Sequence, residues 1–179
     1  MKLWDKGYSV NKKIEEFTIG RDRELDVELA PYDILGTLAH TTMLEQVGLL
    51  ENHELELLKP ELQNLFHEAI TGNFVIEEGI EDVHSQVELL LTRKLGDVGK
   101  KVHSGRSRND QVLLDLKLYT RQRISDITQS TQLLFTALQK RSEQHKNDLL
   151  PGYTHLQVAM PSSFGLWFGA YAESLTDDL

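Results

Sequence analysis

Apolar side chains recur along most of this chain at helical spacing. Between Asp22 and Val47 they fall at Leu25, Leu29, Ile34, Leu35, Leu38 and Val47, the rhythm of one buried helix face. Pro31 either kinks this helix or marks its start. Gly48 followed by Leu49 and Leu50 reads as a left-handed stop with its hydrophobic contact. A second helix is expected over 53–71, restarting at Pro60, with Leu62, Leu65, Phe66 and Ile70 as its apolar face and Gly72-Asn73 as its end. Phe74-Val75-Ile76 is extended but too short to found a sheet. Glu81 and Asp82 then stand where acids favour a helix N-terminus, Val83, Val87, Leu90 and Leu91 form the next stripe, and Gly96 stops it. The longest predicted element runs from about Asn109 to Asn147, striped by Leu113, Leu116, Thr120, Ile124, Ile127, Thr131, Leu134 and Leu138. A loop bracketed by Pro151 and Pro161 follows, then an apolar helix from Phe164 to Leu175. A helix so much longer than the ~11–12 residue mean points to an extended bundle. The fold class is therefore all-α, with a small helical domain over 1–105 and the opening of a long-helix bundle over 106–179.

Composition narrows the function classes. The 179 residues contain no cysteine, which excludes a disulfide scaffold, a thiolate metal site and a cysteine nucleophile. No apolar run has the length of a membrane span, and the start lacks a leader's apolar segment, so a cytoplasmic protein is expected. The net charge of −9 argues against nucleic acid as a partner. That charge is uneven. Residues 1–92 hold 7 basic and 19 acidic side chains, whereas Arg93, Lys94, Lys100, Lys101, Arg106 and Arg108 crowd one short stretch opposed only by Asp97. Such a stretch suits a small anionic ligand, or else a solvated helix end followed by a basic loop.

Two polar, glycine-punctuated segments interrupt the helical texture. His103-Ser-Gly-Arg-Ser-Arg-Asn-Asp-Gln111 lies directly before the long helix. Ser104, Ser107 and Asn109 offer hydroxyl and amide groups, and Arg106 and Arg108 offer forked donors suited to carboxylates. Gly105 permits close backbone approach, and a helix N-terminus favours anions. Capping by Ser107 or Asn109 explains part of this run, but eight consecutive polar or glycine residues exceed what a cap requires. The second segment, Gly152-Tyr-Thr-His-Leu-Gln157, carries Thr154, His155 and Gln157 between two prolines. A histidine there titrates near neutrality and moves protons if its ring is held.

Together the two segments resemble signature regions of the argininosuccinate lyase family, in the fumarase/aspartase superfamily. Ala30-Pro-Tyr-Asp-Ile-Leu-Gly36, Gly72-Asn-Phe and Glu81-Asp-Val-His-Ser-Gln-Val-Glu88 are similar to that family's N-terminal region, so the resemblance extends from Leu3-Trp4 to the last helix. It implies anti-elimination of argininosuccinate to arginine and fumarate, a step of arginine biosynthesis, in a homotetramer; no His/Asp/Glu group in the sequence has metal-ligand spacing, so no metal and no cofactor is expected. It also implies that His155 transfers protons and that Asn109 and Thr154 contact substrate. Ser104, Arg106 and Arg108 join Asn109 as donors for charge developing on a substrate carboxylate, and Gln157 is added as a further substrate-binding residue. Thr18 matches an early family serine in changed surroundings. Val158 and Met160 stand where the family often has polar residues. The family's third signature, a glycine- and serine-rich loop carrying the base, does not occur in these residues, so an N-terminal fragment inactive on its own is expected. The alternatives are a non-catalytic homologue of the δ-crystallin kind and a superfamily lyase for another succinyl adduct. His84 is expected to support rather than catalyse, His103 to orient the arginines, and His40, His53, His67 and His145 to have no role.

Overall fold

The structure, a computed structural model, describes residues 12–179; the Leu3-Trp4 end of the resemblance lies outside them. The chain divides into two compact units, one ending at Tyr119 and one beginning at Thr120.

In the first unit α1 (Lys12–Ile19) and α2 (Asp22–Asp26) lead through a 3-10 turn (Val27–Leu29) into α3 (Ala30–Gln46). Pro31 sits in the first turn of α3, where its missing N–H costs no hydrogen bond, so it marks a start and not a kink. Gly48 takes a φ of +77°, and the Leu49 and Leu50 amides both donate to the Leu44 carbonyl, closing α3 and burying Leu50.

The second helix, α4 (Asn52–Ile70), is continuous through Pro60, correcting the expected restart. Pro60 is on the exposed face, where water can take the carbonyl it leaves unbonded. A capping box between Glu51 and Glu54 starts this helix. Its buried face is Leu55, Leu58, Leu62 and Leu65, while Ile70 is 58% exposed because it falls out of that phase. Leu25, Leu35 and Val47 are likewise exposed; their spacing was helical, but the core lies on the other side of their helices.

Next, α5 (Val83–Leu95) begins at Asp82, whose carboxylate accepts the Ser85 amide at 2.8 Å. It buries Val83, Val87 and Leu91 against α3 and α4. The short α6 (Asp97–Lys100) doubles back on α5. Gly99 lies so close that a Cβ there would sit 2.5 Å from the Leu91 carbonyl carbon. A 3-10 turn (Lys101–His103) leads to the polar run and to α7 (Arg108–Gln144).

In the second unit, the later part of α7 is followed by a hairpin, β1 (Leu149–Thr154) and β2 (Gln157–Ser163), and by α8 (Phe164–Thr176). The hairpin corrects the expected proline-stiffened loop. Pro151 and Pro161 face each other in its ladder, and the register shifts between Pro151 and Tyr153. α8 is capped by Ser163, whose hydroxyl accepts the Leu166 amide, and Gly165 packs onto the α7 terminus, where the Ser142 hydroxyl donates to its carbonyl. Most of the predicted α7 stripe stands in solvent: Leu113, Leu116, Ile124, Ile127 and Leu134 are 45–65% exposed.

Candidate active site

The polar run before α7 is held by side chains from three helices, and the sequence explains each grip. Ser107 caps α7: its hydroxyl accepts the Asn109 amide at 3.1 Å, and Asp110 accepts the Ser107 amide at 2.7 Å. Arg108 reaches the start of α5, 3.0 Å from Asp82 and 3.4 Å from Glu81, and donates to the Ser85 hydroxyl at 2.7 Å. His40 of α3 lies with Nε2 2.8 Å from the Ser104 carbonyl; a carbonyl can only accept, so Nε2 carries the proton. Burial lowers the pKa of His40, with the Ser104 bond opposing and the charge of Arg106 adding to the fall, so a neutral donor fits. Gly105 turns the chain at a φ of +72°, open to glycine without strain.

The run therefore splits by direction. Ser104, Ser107 and Asn109 are exposed, whereas Arg106 and Arg108 are half-buried and bonded inward. The surrounding cations are more exposed but ion-paired. Arg93 pairs with Glu77, Lys94 with Glu61, Lys100 with Asp97 and Lys101 with Glu54. Much of the basic stretch is thus answered by acids earlier in the chain, and within the 104–109 run the exposed groups are hydroxyls and an amide.

Beneath the run lies a buried polar cluster that the sequence did not single out. His84 donates Nδ1–H to Asp33 Oδ1 at 2.8 Å and lies 3.7 Å from Asp115 Oδ2; Gln111 donates to the same Asp33 oxygen at 3.1 Å. Asp33 and Asp115 are each 1% exposed. Arg106 closes the cluster, donating Nη2–H to the Thr37 hydroxyl at 2.8 Å. A cavity of about 10 Å³ is bounded by Asp33, Thr37, His84, Arg106 and Gln111. Among the described residues, Asp33 Oδ2, Gln111 Oε1, Arg106 Nε and both Asp115 oxygens are buried without a hydrogen-bond partner.

Charge explains how the cluster is tolerated. Burial pushes the Asp115 carboxyl up to about 7, and nearby Asp33 pushes the same way against His84 and Arg106. For His84 burial opposes charge, but the Asp33 bond and the charges of Asp33, Asp82 and Asp115 prevail and raise its pKa. Asp33, His84 and Asp115 bring one ligand atom each within 4.8 Å of one another, a grouping that could hold a cation. Two carboxylates facing a guanidinium and a protonatable imidazole are already close to neutral, so the charge balance does not call for a metal.

The second segment builds differently. Thr154 pairs with Gln157 at the hairpin end, and His155 and Leu156 form the two-residue turn at φ of +46° and +63°. A two-residue hairpin turn of this twist needs positive φ at both central positions, and non-glycine residues there cost of order 1–3 kcal/mol each. Thr154, His155 and Gln157 are all exposed, and Leu156 is 98% exposed. The strained tip lifts its side chains away from its own unit. Thr18, exposed on α1, donates its hydroxyl to the Ile14 carbonyl.

Of the predicted site residues, Ser104, Arg106, Arg108 and Asn109 belong to one turn of the first unit, Thr18 lies on α1 of the same unit, and Thr154, His155 and Gln157 lie in the second. Missed were His40, Asp33, Thr37, Gln111 and Asp115. The missed signal was polarity at core phase: Asp33, Thr37 and Thr41 recur every four residues and are all buried on α3, as do Gln111 and Asp115 on α7.

Residues 8–179 match a protein family described as Lyase. The chain is 65% identical over 178 residues to an argininosuccinate lyase of Bacteroides fragilis, covering 99% of this chain and 40% of that protein. It is 42% identical to an argininosuccinate lyase of Ruthia magnifica (99% and 37%) and 39% identical to one of Thermotoga neapolitana (99% and 45%). In fold it is similar to an EDDS lyase variant with bound fumarate, at a TM-score of 0.69 and 23% identity over 96% of this chain and 34% of that one. The β-carboxy-cis,cis-muconate cycloisomerase of Acinetobacter calcoaceticus gives 0.66 and 17% over 94% and 38%. The chain thus spans about two fifths of the length of the relatives it matches.

Proposed function

This chain belongs to the lyase family of the fumarase/aspartase superfamily, and from that premise we propose that the whole protein splits argininosuccinate into arginine and fumarate. The carrying observation is the 65% identity across 99% of the chain to an argininosuccinate lyase. The geometry supports it through the turn that aims Ser104 and Asn109 at solvent while the arginines beside them face inward.

The chemistry asks for few groups. A base removes a proton next to a substrate carboxylate, the resulting charge spreads into that carboxylate, and an acid protonates the departing guanidinium nitrogen. Preorganised donors stabilise the developing charge. Ser104 and Asn109 fill that role, with Arg108 lending positive charge from beside Asp82 and Thr18, Thr154 and Gln157 completing the contacts. His155 transfers the proton, and the serine base comes from a segment not found in these 179 residues. The strained, exposed hairpin tip and the bare α7 stripe both suit a homotetramer in which further subunits cover them. Among the described residues no helix is long and apolar enough to cross a membrane, and we place the protein in the cytoplasm, in arginine biosynthesis.

Ultraviolet detection of fumarate from argininosuccinate, using the whole protein, tests the reading. Steady release is expected. No release rejects it in favour of a non-catalytic homologue, and release only from a different succinyl adduct assigns another substrate.

A further inference from the structure

The residues gripping the polar turn are not equivalent to those it displays. Arg106 stands in a forked-donor motif, yet its guanidinium is directed into the protein. Nη2 donates to the buried Thr37 hydroxyl, Nε is shielded from solvent, and the side chain lines the same cavity as Asp33, with the charges of Asp33 and Asp115 favouring its cationic form. A substrate carboxylate would have to break the Thr37 bond and draw this guanidinium out of the protein. The buried acids below it would then have His84 alone as their cationic neighbour, which is unfavourable. The backbone on either side of Arg106 is fixed as well: His40 donates to the Ser104 carbonyl, and Asp110 accepts the Ser107 amide.

We propose that Arg106 is a positioning residue and not a substrate ligand: bonded to Thr37 and lining the cavity it shares with Asp33, it fixes the 104–107 turn that presents Ser104 and Asn109. This rests on the function proposed above, and it adds a role for Asp33 and Thr37, which touch no substrate. Removing the brace lets the turn move, and a displacement of about 1 Å costs roughly 100-fold in rate. The effect passes through Asp33, so the two residues act as one unit and their losses do not multiply.

The test uses the whole protein and two readouts. In the fumarate assay Arg106→Met and Asp33→Asn are each expected to lower kcat/KM about 100-fold, with kcat falling as well as KM rising. The double variant is expected to stay near the single loss and far from the ~10⁴-fold product. Arg106→Lys, which restores charge but not the fork, is expected to recover about tenfold. Multiplicative losses, or a rise in KM alone for Arg106→Met, would identify a direct substrate contact and overturn the proposal. Amide hydrogen exchange of residues 104–107 supplies the second readout and needs no activity. It is expected to quicken at least tenfold in Arg106→Met, and unchanged exchange overturns the proposal as well. If Arg106→Met does not fold, Thr37→Val removes the hydroxyl at nearly constant volume, and both readouts apply to it paired with Asp33→Asn. A wild type that releases no fumarate rejects the functional reading alone, since the exchange measurement still decides whether Arg106 holds the turn.

Discussion

Asp115 makes a pH-dependent liability of the buried cluster, and its size follows from the structure. The carboxyl is 1% exposed, accepts no hydrogen bond among the described residues, and titrates near 7 in place of the ordinary 3.8. A raised carboxyl pKa means that the folded state holds a proton which the unfolded chain has already released. Stability therefore falls as pH climbs from the unfolded value through the folded one. About 3 pH units at 1.36 kcal/mol each bound the penalty at roughly 4 kcal/mol, and relaxation around the ion brings the expected loss to about 1–2 kcal/mol. His84 adds in the same direction: its raised pKa contributes stability below its ordinary 6.5 that is lost as pH rises through the folded value. Asp115→Asn keeps the shape and removes the titration. Urea unfolding followed by circular dichroism, at one protein concentration between about pH 5 and pH 9, is the assay. The variant is expected to match the wild type near pH 5 and to be about 1–2 kcal/mol more stable above pH 8. Parallel pH profiles, or a variant less stable at alkaline pH, would refute the account of a proton stored on Asp115.

Three further outcomes are expected. His155→Asn in the whole protein should lower kcat by about 10²–10⁴-fold with a smaller change in KM, and a loss under about threefold rejects the proton-transfer role. Asn109→Ala should raise KM as well as lower kcat, because a substrate contact is made in ground and transition states alike; an unchanged KM contradicts it. Gly99→Ala should lower the thermal midpoint by several degrees, about 1–3 kcal/mol. The added Cβ meets α5 backbone at 2.5 Å and not a flexible side chain, so an unchanged midpoint would show that α6 is not seated as described.

Much of the helical frame was legible from spacing and punctuation. Gly48, Gly72 and Gly96 end helices at positive φ, and Asp82 caps α5. What spacing could not supply was the side of the helix on which the core lies. Leu25, Leu35 and Val47 keep helical rhythm yet stay exposed, while Leu55 and Leu58 lie fully inside. On α7 the apolar stripe led the reading, but the face turned into the first unit is the one bearing Gln111 and Asp115. Hydrophobic periodicity points to that helix's outer partners. The hairpin was missed because two prolines and a turn without glycine or asparagine suppress every usual strand signal; Pro151 opposite Pro161 is a pairing visible only once the register is known.

The polar run shows why a motif can single out a segment and still conceal how that segment is held. His103 to Asp110 contains more polar groups than a helix cap needs, and that surplus is what singled the run out. Equal weight along the run would treat five donors as one ligand cradle. In the fold, the smaller groups of Ser104 and Asn109 face outward while the long side chains of Arg106 and Arg108 turn back into the protein. The physical reason is reach. A side chain long enough to span from the turn to α3 or α5 can anchor it there, and only short ones must stay where the turn puts them. Each arginine finds its anchor on another helix, the Thr37 hydroxyl for Arg106 and Asp82 with Ser85 for Arg108. Thr37 lies 69 residues from Arg106 and Ser85 lies 23 from Arg108, so the partners of a signature loop must be sought among polar residues in the helices that surround it.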